Sequence, residues 1–109
     1  MASINTAMPR ISRNKDKCRT GHLCDTTAPV NASQYTVFAN GKPILRRGDR
    51  VGRHTILKKV KDKRVCIGHK AKLSGSSFRV FVKGIGVGRK GDRADKGSMK
   101  GASPNVFAG

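Results

Sequence analysis

Three histidines, His22, His54 and His69, and three cysteines, Cys18, Cys24 and Cys66, are the side chains of this 109-residue chain best suited to binding chemistry. Imidazole nitrogen and thiolate sulfur together suit a tetrahedral metal, and zinc accepts that mixture because it imposes no geometric preference of its own. His22, His54 and His69 make up the first set of ligands. The fourth is open between Cys24 and Cys66, with Cys18 and Asp95 behind them. Cys66-x2-His69 has a spacing that lets two neighbours chelate one ion. His69 stands eleven residues before Val80, Asp95 eleven before Val106, and Cys24 thirteen before Val37, so these positions are expected to be equivalent in a repeated unit. The competing reading makes the thiols small buried hydrophobes and the imidazoles solvated loop residues.

Catalysis finds no support. Glu is absent, the serines around Ser74, Ser76 and Ser77 lack an evident His/Asp partner arrangement, and a metal with four protein ligands has no open position for water. Gly86-Val87-Gly88-Arg89-Lys90-Gly91 matches a dinucleotide-binding pattern, but no helix-forming stretch follows it. Arg47-Gly48-Asp49 matches an adhesion tripeptide, yet Lys90-Gly91-Asp92 holds the same place in the repeat, which favours a turn. Neither an enzyme nor a small-molecule substrate is expected.

The elements that must position the ligands are strands and turns. All six acids are Asp, Leu occurs four times and Gly thirteen times, so strong helix formers are scarce. Val37-Phe38-Ala39-Asn40-Gly41 leads into Lys42-Pro43-Ile44-Leu45-Arg46-Arg47-Gly48-Asp49-Arg50. Forty-three residues later Val80-Phe81-Val82-Lys83-Gly84 leads into Ile85-Gly86-Val87-Gly88-Arg89-Lys90-Gly91-Asp92-Arg93, and a truncated copy ends the chain as Val106-Phe107-Ala108-Gly109. Each copy reads as strand, Gly turn, strand and Gly-Asp turn, which is a β-hairpin used about three times. The expected fold is all-β: a small conical structure of repeated hairpins with approximate three-fold symmetry, whose His- and Cys-bearing loops converge at a metal-bound apex. Residues 1–15 read as an extended lead-in and 16–109 as one domain, with packed structure beginning near Cys18. One small core is all this length allows.

Lys and Arg number 24 against 6 acids, a formal charge of +18 that predicts attraction to a polyanion, an acidic protein surface or anionic lipid. The run Lys58-Lys59-Val60-Lys61-Asp62-Lys63-Arg64 reads as a solvated loop that could also touch phosphates or an acidic partner. With no Trp and five aromatics, a stacking platform for single strands is poorly supplied. A small basic nucleic-acid binder is the rival reading, and it leaves the His/Cys placement and the Val-Phe repeats unexplained. No apolar run is long enough to span a bilayer and no secretory signal is visible, so the cysteines are expected as free thiols or metal ligands and not as a disulfide framework.

These residues resemble the PAAR-repeat proteins that cap the spikes of contractile injection machines. Pro43-Ile44-Leu45-Arg46 stands where the Pro-Ala-Ala-Arg signature falls, and Gly86-Val87-Gly88-Arg89 is a degenerate second copy. Gly101-Ala102-Ser103-Pro104-Asn105-Val106-Phe107-Ala108-Gly109 is similar to the family's terminal strand, and Gly21-His22-Leu23-Cys24-Asp25 also fits. The resemblance spans about residues 16–109. It implies a cone whose base docks on the blunt end of a trimeric β-helical spike and whose apex meets the target-cell envelope, with one structural zinc held by His22, His54, His69 and a Cys. Asp95-Lys96 occupies the position that often carries the family Cys, which moves the fourth ligand to Cys24 or Cys66. The Gly-Ser-Pro pattern is loosened at Ala32-Ser33-Gln34-Tyr35. With no effector domain beside the repeats, the resemblance favours a virion component at the distal end of a phage tail baseplate, with a type VI secretion tip, held in the bacterial cytoplasm before release, as the alternative. No specific nucleic acid is implied.

Overall fold

A computed structural model describes residues 8–109 and contains no helix among them. The main sheet is antiparallel, in the order β1 (Lys17–Arg19), β2 (Thr27–Asn31), β5 (Arg50–Val60) and β6 (Lys63–Lys72). Three two-stranded hairpins complete the set: β3 (Phe38–Ala39) with β4 (Lys42–Pro43), β7 (Phe81–Val82) with β8 (Ile85–Gly86), and β9 (Arg93–Ala94) with β10 (Gly97–Ser98). The all-β expectation therefore stands.

The repeated hairpins close through tight turns in which both central residues have positive φ: Asn40 (54°) and Gly41 (75°), and Lys83 (51°) and Gly84 (79°). Such turns match the right-handed twist of the flanking strands. The truncated third copy is completed by the other end of the chain. Arg10 bridges Phe107, and Ala108 N–H donates to the Pro9 carbonyl (2.9 Å), as Phe38 pairs with Pro43 and Phe81 with Gly86. Residues 9–13 are thus the missing second strand of that copy, and Ile11 and Ser12 are buried. This corrects the boundary: packed structure begins well before Cys18, and residues 9–13 of the segment read as lead-in belong to the fold, while residues 1–7 of it lie outside the described residues. Its partner lies about a hundred residues away, which no local pattern reveals.

Each copy also carries the same polar fittings. A buried side chain caps the turn before each Val-Phe pair: Gln34 Oε1 accepts from the Thr36 and Val37 N–H groups, Ser77 Oγ from Arg79 and Val80, and Ser103 Oγ from Asn105 and Val106. Gln34 fills with a longer arm the role Ser plays twice. After each second strand an Asp accepts from the N–H three residues earlier, Asp16 from Arg13 (2.7 Å), Asp49 from Arg46 (2.8 Å) and Asp92 from Arg89 (2.8 Å). Between these turns the backbone closes a ring. Ser12 N–H donates to the Gly88 carbonyl (2.9 Å), Gly88 to Leu45 (2.8 Å), and Leu45 to Ser12 (3.0 Å).

Two small apolar clusters flank this ring. Ile11, Ala39, Ile44, Val82, Val87 and Ala108 fill the space between the repeated hairpins, while Cys18, Val30, Leu45, Val51, Leu73 and Met99 lie under the main sheet. Most of these side chains are small, so neither cluster buries much area. A Cβ at Gly88 would lie 2.5 Å from Cδ2 of the fully buried Leu73, so any larger residue there would force that side chain to shift.

Candidate metal centre

His22, His54, His69 and Asp95 converge in one group whose ligand atoms lie within 4.8 Å of one another, and this group could hold a metal ion. His54 and His69 come from facing positions of β5 and β6, and directly opposed residues in an antiparallel pair share a face. Correcting the expectation that all ligands sit in loops, these two are strand residues. A β-bulge aims the first of them. The register shifts between Val51 and His54, so two residues, Gly52 and Arg53, stand against one on β6. The extra residue turns His54 inward, to 3% exposure, and its Nδ1 lies 2.9 Å from the Gly52 carbonyl.

His22 comes from the loop between β1 and β2. Thr20, fully buried, accepts the His22 N–H at its Oγ1 (3.2 Å) and donates to the Asp25 carbonyl (2.6 Å). Three further ties hold the loop to the elements that bear the other ligands. Lys96 N–H donates to the Thr20 carbonyl (3.1 Å), the Asp25 carboxylate accepts from Thr55 N–H (2.7 Å) and Oγ1 (2.8 Å), and Cys24 is disulfide-bonded to Cys66. The bonds from Thr55 hold the Asp25 carboxyl below its ordinary range.

Asp95 stands at the first position of the β9–β10 turn with φ 55°. Its Oδ1 lies 2.9 Å from His22 Nε2 and 3.2 Å from His69 Nε2, and its Oδ2 lies 2.7 Å from His54 Nε2. Burial pushes its carboxyl up, but the hydrogen bonds of His22, His69 and His54 outweigh that and hold it below the usual carboxylate range. His54 meets an acceptor at both ring nitrogens. Each must carry a proton, or a cation must take the Nε2 side; because the Gly52 carbonyl already fixes the proton on Nδ1, Nε2 is free to be the ligand atom. Three imidazole nitrogens and one carboxylate oxygen are a donor set that suits a divalent ion.

The cysteines take another role. Cys24 and Cys66 are both exposed and joined to each other, which corrects both the free-thiol expectation and their candidacy as the fourth ligand. The reason is strand alternation: Cys66 and His69 are three residues apart on β6 and point to opposite faces. The Cys66-x2-His69 spacing chelates only if the chain turns, and here it is extended. Cys18 is buried in the core beneath the sheet, where desolvation raises its thiol pKa. The signal for Asp95 is its distance from Val106, equal to that of His69 from Val80, although the sequence reading sets it, with Cys18, behind Cys24 and Cys66. No protein-family model matches the chain, and no curated protein is significantly similar to it.

Proposed function

We propose that this chain is a PAAR-like tip, a structural cap on the trimeric β-helical spike of a contractile injection machine, stabilised by one zinc ion. The observation that carries the reading is the closed ring of Ser12, Leu45 and Gly88. One polypeptide that repeats the same hairpin around such a ring gains an approximate three-fold axis, which is what a single cap needs to match the blunt end of a trimer. Phe38, Phe81 and Phe107, one per copy, are 51%, 54% and 45% exposed, and each lies on a strand paired with the one that enters the ring. One exposed ring per copy would suit three equivalent chain ends.

From this base the cone would taper through the ring to the His22, His54, His69 and Asp95 group. Zinc fits that group because it accepts nitrogen and oxygen in a closed tetrahedral site. Four protein ligands leave no place for a reacting water, so the ion serves the fold and the protein is no enzyme. In small metal-dependent domains such a site supplies about 10 kcal/mol or more of folding free energy, which suits a chain with so small an apolar core. The phage tail baseplate is the favoured setting, with a secretion-system spike as the alternative.

Native mass spectrometry of the chain mixed with a blunt-ended trimeric β-helix tests the reading. One copy per trimer is expected, lost when Phe38, Phe81 and Phe107 are all changed to Ser. Absence of any complex, or three copies per trimer, would refute it.

A further inference from the structure

The run from Lys58 to Arg64 was expected as a loop, but it is the end of a long two-stranded ribbon. Lys61 (φ 47°) and Asp62 (φ 64°) form the tight turn, and β5 and β6 pair from Val60–Lys63 back to His54–His69. Among the described residues, nothing outside the ribbon hydrogen-bonds to residues 56–65, so beyond the Cys24–Cys66 disulfide the ribbon stands alone. Beyond the Leu57–Cys66 pair its last three pairs reach roughly 10 Å farther at the usual rise of a strand. Along β5 the chain passes from core (Val51) to metal group (His54) to free end (Val60), so the ribbon continues past the metal group.

We propose that this ribbon is a membrane-docking finger whose basic side chains bind the head-group phosphates of an anionic bilayer while Val60 and Val65 enter the interface. Lys58, Lys59, Lys61, Lys63 and Arg64 are opposed by Asp62 alone, which is 98% exposed and 3.8 Å from Lys59, a pair that neutralises little in water. Lys58 faces Val65 and Val60 faces Lys63, so one face of the ribbon sets two valines, 45% and 38% exposed, diagonally between two lysines. Lysine stems can lie along such a surface with their charges at phosphate level. The ribbon has no aromatic side chain from 56 to 67 to stack on bases, and its exposed Val60 and Val65 have nothing to bury against on a phosphate backbone but suit a bilayer interface, which argues for a lipid surface over a nucleic acid. The inference rests on the tip reading only for its biological setting, since binding to vesicles is measured without any spike and either can fail alone.

The test compares two variants of equal net charge. In the finger variant Lys58, Lys59, Lys63 and Arg64 become Gln; in the control variant the exposed Lys42, Arg47, Arg79 and Lys83 become Gln. Partitioning onto vesicles of phosphatidylcholine with phosphatidylglycerol should fall at least about 100-fold for the finger variant and no more than about 10-fold for the control. Equal losses would mean diffuse attraction by total charge and overturn the proposal. As a second readout Val60→Trp, the sole Trp in the chain, should shift its emission to the blue with anionic vesicles and not with phosphatidylcholine alone. An unshifted Trp on vesicle-bound protein would overturn it. So would a finger variant that loses binding to duplex DNA while keeping its vesicle binding.

Discussion

Gly97→Ala should both destabilise the fold and open the metal centre. An added Cβ would lie 1.9 Å from the Arg19 carbonyl oxygen and 2.6 Å from its carbon, both backbone atoms of β1. Restoring ordinary contact requires the β9–β10 hairpin to retreat by roughly 1.5 Å, because carbon and oxygen repel steeply inside van der Waals contact. Overpacking against backbone belongs at the upper end of the usual range, about 3 kcal/mol. For a domain of this size that lowers Tm by roughly 10–25 °C. Asp95 is two residues away in the same hairpin, and contacts of 2.7–3.2 Å to the three imidazoles do not survive such a retreat. Metal affinity should therefore fall together with stability. Gly84→Ala is the control: nothing lies within 4 Å of its Cβ, and its cost is the left-handed φ alone, on the order of 1 kcal/mol. Thermal melts by circular dichroism, with zinc and with chelator, read both effects. Equal Tm and equal metal affinity for the two variants would refute the reasoning.

The Cys24–Cys66 disulfide closes a loop of sequence separation 42, for which chain entropy predicts about 4 kcal/mol of stabilisation. Reduction, or the double change Cys24→Ser with Cys66→Ser, should lower Tm yet leave the metal bound, since neither sulfur is a ligand; loss of metal in the double variant would return a sulfur to the site. Acid should act in two stages. Protons first compete with the metal for the imidazole nitrogens, so the Tm difference between zinc-loaded and chelator-treated protein should close as pH falls. Asp95, whose carboxyl is held below its ordinary 3.8, contributes stability that is present above that value and disappears as pH falls through the lowered one. The metal-free protein should accordingly keep that contribution at pH 5 and lose it only in strong acid, and Asp95→Asn should abolish that last step in an acid titration followed by circular dichroism.

The sequence carried the strands, the hairpin repeat and the three histidines, because period and turn chemistry are local. It misjudged what depends on partners far along the chain. Arg10 to Arg13 show no pattern of their own, since their strand partner is at the other terminus and their place is visible only once the ring closes. His54 and Cys66 were assigned to loops because the basic run after Val60 hides a hairpin turn that lacks Gly; Lys61 and Asp62 adopt positive φ without it. Once β5 and β6 are seen as strands, alternation separates Cys66 from His69 and pairs His54 with His69. The carboxylate at Asp95 was legible in its spacing, but a ligand's identity is fixed by which side chain reaches the centre, and only the turn between β9 and β10 decides that.

The central question is whether His22, His54, His69 and Asp95 bind a metal. Native mass spectrometry of protein purified without added zinc, beside Asp95→Ala and the Cys24→Ser, Cys66→Ser double variant, answers this in one experiment. One metal per chain in the parent and the double variant, and a much reduced metal content in Asp95→Ala, where only the three imidazoles remain, is the predicted result. A metal-free parent, or undiminished metal affinity without Asp95, would contradict it.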